Sequence, residues 1–287
     1  MKTHTKLHQL LAPLLSIVLI LSACASTSGP GVAQTSERQA KAQAMFAERC
    51  KTAGEKIHRT VENVEGVYLL KLRPKGTNYG DQFKLDDPYG RDLDGEGYVK
   101  TFVRDSFAKM RSPNPRPEWP LRIGYSYVEV QDSRNGQRYR YTGAVKAVRK
   151  KDATALNVQM ELRRNPNYDL NIYEFVLDRI PAPGAAPRYG VTYDDISTHE
   201  EREYWIAGSS LKVIDLQTNE VIAERIGYMM DWAQGSQVGG RSPWLFAADN
   251  ACPDFHRFKN PVVQTKGASN QSWQTLDFVE KVLKPSK

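Results

Sequence analysis

The chain has 287 residues, a formal charge of +7 from 40 Lys and Arg against 33 Asp and Glu, and three cysteines. Hydrophobic residues at 40% and charged residues at 25% are typical of a folded protein and exclude wholesale disorder. Three cysteines are too few for a disulfide-dense miniprotein. No apolar run reaches about 18 residues, which excludes a polytopic membrane protein.

The N-terminus has the parts of a secretory signal. A polar start with two lysines precedes the apolar run Leu10–Leu21, which is too short to span a bilayer core of about 30 Å. The run ends in Leu21-Ser22-Ala23-Cys24, which resembles the lipobox of bacterial lipoproteins. In that family the chain is cut before the cysteine, which carries acyl chains such as palmitate. The resemblance implies a signal peptide at residues 1–23 and a lipid anchor on Cys24.

Two features follow from this reading of the N-terminus. Ala25 stands where many inner-membrane lipoproteins have Asp, so the resemblance implies an outer-membrane, periplasm-facing protein in the bacterial envelope. Residues 24–35 are small and polar with Gly and Pro, which predicts a flexible tether before one globular domain at residues 36–287. The alternative is an ordinary signal peptide with an incidental cysteine.

The first part of the globular domain predicts helices around one strand. Ser36 is a good cap for a helix that extends to about His58. Thr60–Leu72 is rich in Val and Leu and predicts a buried strand. Lys75–Gly97 predicts a loop, and the apolar spacing in Tyr98–Met110 predicts an amphipathic helix.

Strands dominate the middle of the chain. Alternating apolar residues predict successive strands, and Asn135-Gly136 predicts a tight hairpin turn between the first two. The clearest pattern is a hairpin of Tyr204–Ile214 against Val221–Met230. The earlier predicted strands are Leu121–Gln131, Gln137–Val148, Ala153–Leu162, Leu170–Ile180 and Arg188–Ile196.

The order of these elements predicts the fold class. Consecutive strands with short connections favour an antiparallel sheet over alternating βαβ units. After the Gly-rich loop Gln234–Trp244, the apolar spacing in Gln271–Leu283 predicts a C-terminal helix. We therefore expect an α+β fold, mainly antiparallel β-sheet, with an N-terminal and a C-terminal helix.

If Cys24 is lipidated, Cys50 and Cys252 remain. Two thiols in an oxidising envelope are expected to form a disulfide. The alternative is a pair of free buried thiols. No Cys-x-x-Cys motif supports a thiol-redox site.

The sequence contains few signs of catalysis, and we predict no catalytic residue, cofactor or metal site. The histidines beyond the signal segment are scattered, and no zincin, nucleophile-elbow or P-loop motif occurs. Asp92, Asp94 and Glu96 resemble the first half of a calcium loop, but Val103 stands where the closing Glu is needed. A solvated turn is the default reading of this acidic loop.

Basic residues cluster at Lys146–Lys151, with Arg163 and Arg164 farther along the chain. Nucleic acid is not an expected partner for an exported lipoprotein. The alternatives are contact with anionic lipid or an acidic protein, and a solvated strand end.

The loop Asp231–Trp244 differs from the other loops. It places Trp232, Arg241 and Trp244 among flexible glycines, and Trp and Arg are enriched at interface hot spots. These three residues are the candidate binding surface. The alternative is that both tryptophans fold back into the core.

A second resemblance concerns the body of the chain. The hairpin Arg202–Gly208 with Val213–Glu224, the segment Gly239–Trp244 and Cys252-Pro253 resemble a pattern in uncharacterised proteobacterial lipoproteins. The pattern is also similar to immunity lipoproteins that neutralise phospholipase effectors of type VI secretion. The resemblance implies a non-catalytic protein that binds a lipase toxin.

Two alternatives to this interpretation stay open. One is a structural or assembly lipoprotein of the envelope. The other is a hydrolase with His199 as general base, since Glu200 and Asp194-Asp195 are near it in sequence.

Overall fold

The computed structural model describes residues 30–73, 75–76, 78–84, 93–106, 116, 123–255 and 271–286. The chain divides into two units, Met1–Glu37 and Arg38–Lys287. Of the first unit, the structure describes the helical backbone from Pro30 onward. The second unit contains all the other elements below.

The described residues form a mixed α and β fold that is mainly sheet. The helices are α1 (Pro30–Cys50), α2 (Gly95–Phe102), α3 (Leu156–Arg164), α4 (His199–Glu203), α5 (Pro243–Ala247) and α6 (Gln271–Val282), with a short 3-10 turn at Val238–Gly240. The strands are β1 (Gly54–Ile57), β2 (Val61–Val64), β3 (Gly66–Leu69), β4 (Tyr127–Gln131), β5 (Arg138–Lys150), β6 (Asn171–Pro181), β7 (Tyr189–Asp195), β8 (Ile206–Asp215), β9 (Glu220–Met230), β10 (Ala251–Cys252) and β11 (Leu283–Pro285).

One large sheet has the strand order β1-β9-β8-β7-β3-β4-β5-β6, with β10 also paired to β9. Most neighbours are antiparallel, as predicted, but β3 runs parallel to both β4 and β7. A second, two-stranded sheet pairs β11 with β2 in parallel. The sequence predicted an antiparallel sheet and did not predict these parallel pairs, because β3 pairs with strands that are distant from it in sequence.

The β8–β9 hairpin confirms the clearest strand prediction. Its register runs from Ile206 opposite Met230 to Asp215 opposite Glu220. Asn219 adopts a φ of 57° in the connecting turn, a conformation that Asn tolerates better than most residues. The β4–β5 hairpin is confirmed too, with Gly136 at a φ of 69°. Local pattern and turn chemistry therefore fix both hairpins.

Asp215 closes the start of the β8–β9 turn as a buried carboxylate. Arg188 donates to it at 2.8 Å and Arg59 at 2.8 Å, and the Gln217 backbone N–H donates at 3.2 Å. These donors, Arg188 first, hold the pKa of Asp215 well below its usual range. The turn therefore depends on an ionised carboxylate.

Helices cover both faces of the large sheet. Val99 and Phe102 of α2 and Phe278 of α6 belong to one buried cluster with the apolar side chains of β3, β4, β7 and β8. On the other face of the β8–β9 hairpin, Ala42 of α1 packs with Met230. Each large apolar side chain buried in this way contributes roughly 1.5–3 kcal/mol.

A disulfide joins Cys50, at the end of α1, to Cys252 of β10. This agrees with the pairing expected from the sequence. The bridge connects two positions that are 202 residues apart and attaches α1 to the strand beside β9.

Among the predicted elements, the strand Ala153–Leu162 and the first helix need correction. Ala153–Leu162, predicted as a strand, overlaps helix α3 (Leu156–Arg164), because the Leu, Gln, Met and Glu of this exposed segment are good helix formers. Helix α1 begins at Pro30 rather than Ser36, since Pro is well tolerated in a first helical turn. It ends at Cys50 rather than His58, and Gly54–Ile57 pairs with β9 instead.

Candidate functional site

The loop that follows β9 is built around Asp231, whose side chain is fully buried. Its carboxylate accepts hydrogen bonds from the backbone N–H groups of Ala233, at 3.1 Å, and Gly235, at 2.8 Å. Both outer nitrogens of Arg241 also donate to it, with Nη1 at 2.9 Å. One buried carboxylate thus fixes the conformation of the whole loop.

Arg241 is held in place on several sides. Besides its ion pair with Asp231, its Nη1 donates to the carbonyl oxygen of Ser236 at 3.0 Å. Its guanidinium lies 4.6 Å from the centre of the Phe246 ring, a cation–π contact. Arg241 therefore holds the loop after β9 together, and part of its side chain remains exposed to solvent.

Trp244 is a core residue, which corrects its assignment to the binding surface. Its side chain is fully buried, its ring centre lies 5.0 Å from that of Trp205, and its Nε1 donates to the Asp81 carbonyl at 3.0 Å. Pro243 begins helix α5 and turns the indole inward. The sequence left this alternative open, because nothing near Trp244 indicates a partner as distant as Asp81.

Trp232 remains on the surface, and the structure adds neighbours that the sequence analysis missed. Trp232 is 40% exposed, Val238 is 85% exposed, and Phe246 is also exposed. Tyr79 and Phe83, from the segment 78–84, are exposed as well. We call Tyr79, Phe83, Trp232, Val238 and Phe246 the aromatic loop face.

Hydrogen bonds attach the segment 78–84 to the loop after β9 and to α4. The Ser242 hydroxyl donates to the Tyr79 carbonyl at 2.9 Å. The Gln82 amide donates to the carbonyl of Arg202 at 2.7 Å, and the Asn78 side chain accepts from two backbone N–H groups of its own turn. Hydrogen bonds therefore join the two loops that carry most of this face, and α5 carries Phe246.

The carboxylate beside His199 is that of Glu203, not one of those named in the hydrolase hypothesis. The Nδ1 of His199 lies 3.6 Å from Glu203 Oε1, and the imidazole ring stacks on Phe83 at 4.6 Å. Glu200 instead pairs with Lys41, and Asp194 pairs with Lys212.

Asp195 is buried in a separate ion pair with Arg202, which is fully buried. Burial raises the pKa of Asp195, which Arg202 and the Ser197 hydroxyl counteract. Thr198 and Glu201 form a capping box that starts α4 and positions Arg202. This Thr-x-x-Glu signal was present in the sequence and was missed. Asp195 and Glu201 therefore hold Arg202 and the start of α4 in place.

The other predicted features are distributed over the surface. Asp94 accepts the Gly76 backbone N–H at 2.6 Å, whereas Asp92 lies outside the described residues. Among the residues that the structure describes, no cluster of metal-ligating side chains occurs. In the basic run, Lys146 pairs with Asp178 and Arg149 with Glu174, as expected of solvated strand ends.

Cys24, the predicted anchor, lies outside the described residues. None of the helices in the described part of the chain has the length and hydropathy to cross a bilayer. Comparison of the chain with models of protein families, with curated proteins and with solved structures finds no match.

Proposed function

We propose that this protein is a lipid-anchored, periplasm-facing binding protein whose aromatic loop face contacts a secreted phospholipase toxin. On this proposal the body is an α+β domain with a helix near each end, attached to the outer membrane through Cys24. The observation that carries the proposal is the aromatic loop face: exposed apolar side chains on two loops and on α5, where a buried ion pair holds the loop after β9.

Exposed aromatic side chains on a rigid loop are well suited to protein recognition. Aromatic residues dominate the energetics of interfaces because they bury a large area with few rotatable bonds. The Asp231–Arg241 pair and the Ser242–Tyr79 hydrogen bond fix the backbone before binding. Little conformational entropy is then lost when a partner docks, which favours affinity.

The lipobox and the residue after it support the proposed location in the outer membrane. Leu21-Ser22-Ala23-Cys24 supports an acylated N-terminus, and Ala25 supports the outer membrane. A Cys24→Ser variant is expected to lose both incorporation of labelled palmitate and recovery with the membrane fraction. Equal labelling of the variant and the parent chain would contradict the anchor.

The toxin-binding role is tested in a deletion strain that is exposed to siblings carrying the phospholipase toxin. The full chain is expected to restore survival, and the double variant Trp232→Ala/Val238→Asp is expected to fail. Loss of two interface hot-spot side chains lowers affinity by roughly 30-fold or more. The purified variant is expected to bind the toxin correspondingly more weakly.

A matched control separates the face from general surface changes. Leu156 is 73% exposed on α3, which lies at the tip of the β5–β6 hairpin. Leu156→Asp is expected to protect as well as the parent chain. Survival of the deletion strain without any complementation would overturn the immunity role, and a defect in envelope integrity in that strain would favour the assembly alternative.

A further inference from the structure

A cleft of about 600 Å³ lies at the carboxyl ends of β3 and β4. Its walls are Leu70–Arg73 with Lys75, the first turn of α2, the β4–β5 turn and the end of β6. Its apolar floor includes Leu69, Val99 and Val130. Cavities of this size accommodate small organic ligands. Nothing in the proposed toxin binding uses it.

The polar lining of the cleft is mostly cationic. Of the described residues that line the cleft, five are basic and two, Glu96 and Asp132, are acidic. The basic residues are Lys71, Arg73, Lys75, Arg134 and Arg179. Charges of one sign in a concave site with low-dielectric walls concentrate the opposite charge from solution.

Asp132 offsets one of these positive charges, and it holds two of the arginines. Arg134 donates to it at 2.7 Å and 3.0 Å, and Arg179 donates at 3.0 Å. The Arg134 hydrogen bonds hold the pKa of Asp132 well below its usual range, so it stays ionised. Arg179 also lies over the Tyr139 ring at 3.6 Å. The carboxylate thus positions two guanidinium groups at the rim.

The opposite wall is positioned by aromatic rings and by a glycine. Lys71 Nζ lies 4.7 Å and Arg73 Cζ 4.8 Å from the centre of the Tyr193 ring. A Cβ at Gly95 would lie 3.3 Å from Lys75 Cγ, so the absence of a side chain at Gly95 lets the stem of Lys75 pass close to the start of α2. The N-terminal end of α2 adds its partial positive charge to the same cleft.

We propose that this cleft binds a phosphate monoester with a short organic group. A multiply charged tetrahedral anion balances the excess of cations better than a monocarboxylate, and Arg and Lys together are the usual side chains for phosphate. The apolar floor and the tyrosines contact the organic part. A soluble phosphate ester and a phosphatidic acid headgroup share this chemistry.

The test is calorimetric titration of the full purified chain with glycerol 3-phosphate at low ionic strength. We expect saturable binding that weakens as salt is added. Glycerol, which lacks the phosphate, is expected not to bind. Absence of saturable heat with glycerol 3-phosphate would overturn the proposal.

Variants of the lining residues test whether glycerol 3-phosphate binds in the cleft. Arg134→Gln and Lys75→Gln are each expected to weaken binding by about tenfold, as expected for loss of one charge-assisted contact. Arg164→Gln is the matched control: Arg164 is 71% exposed and Arg134 81%, and each pairs with an acid near it in sequence. Equal losses in Arg134→Gln and Arg164→Gln would show non-specific charge attraction and reject the cleft.

A second titration distinguishes the two sources of the phosphate. Dihexanoyl phosphatidic acid is expected to bind at least about tenfold more tightly than glycerol 3-phosphate if the natural ligand is a lipid. Equal affinities would support a soluble ester. Either outcome is independent of the survival assay, because neither Arg134 nor Lys75 belongs to the aromatic loop face.

Discussion

The rigidity of the aromatic loop face can be tested at Gly235. This residue adopts a φ of 84°, and a Cβ there would lie only 2.3 Å from Trp205 Cε2. Trp205 is buried against Trp244, so its ring cannot move away without disturbing the core. We therefore expect Gly235→Ala to destabilise both the loop and the core beneath it.

The magnitude follows from two separable costs. A left-handed backbone costs a residue with a side chain about 1–2 kcal/mol, and overpacking of a filled core costs about 1–3 kcal/mol more. Gly239 supplies the control, because its φ is 71° and a Cβ there would have no neighbour within 4 Å. Gly239→Ala then carries only the backbone cost, so the two variants are expected to differ by about 1–3 kcal/mol.

The free energy of unfolding of both variants is measured by urea titration, followed by tryptophan fluorescence. The effect of Gly→Ala on the unfolded chain is similar at both positions and cancels in the comparison. Gly235→Ala is expected to shift the tryptophan signal of the native state, since Trp205 must move. Equal stabilities for the two variants would refute the packing of Trp205 against this loop.

Three further predictions concern stability. Asp231→Ala leaves Arg241 without its carboxylate and is expected to cost about 3–5 kcal/mol in a urea titration, whereas Asp194→Ala, at an exposed ion pair, is expected to cost less than about 1 kcal/mol. The double variant Cys50→Ser/Cys252→Ser is expected to lower the free energy of unfolding by up to about 5 kcal/mol; no change in the thermal midpoint would contradict a stabilising bridge. Because its arginine partners lower the pKa of Asp215 in the folded state, its contribution is present above the usual carboxyl pKa and is lost as the pH falls below about 4. Asp215→Asn is expected to weaken the acid dependence of the urea midpoint between pH 5 and pH 3, and an unchanged dependence would count against this ion pair.

Local sequence patterns predicted the elements whose partners are close in the chain. The β8–β9 hairpin and the β4–β5 turn at Gly136 were predicted because alternation and turn chemistry act over a few residues. Helix α3 was predicted as a strand, because a short segment with scattered apolar residues fits both periodicities. The helix-forming residues of this segment indicate its structure better than its apolar periodicity does.

Long-range contacts were beyond the sequence pattern. The parallel pairing of β3 with β4 and β7 depends on how distant segments meet, which no local period records. Trp244 shows the same limit at the candidate site, since its burial depends on the Asp81 carbonyl far away in sequence. Trp232 and Arg241 were proposed from loop composition alone, which records no long-range contact.

The topology explains why the aromatic loop face and the cationic cleft occur at one end of the sheet. Because β7, β3 and β4 are parallel, their carboxyl ends lie at one end of the sheet. The start of β8 and the end of β9 lie at the same end, because β8 is antiparallel to both β7 and β9. Arg38 contacts the Glu203 carbonyl, and Gln39 donates to the Trp232 carbonyl at 3.2 Å. Arg38 and Gln39 of α1 therefore contact α4 and the loop after β9 at this end of the sheet. On the proposed function, the protein-binding face and the phosphate site would then belong to the same end of the sheet, which suits a partner that acts on phospholipids.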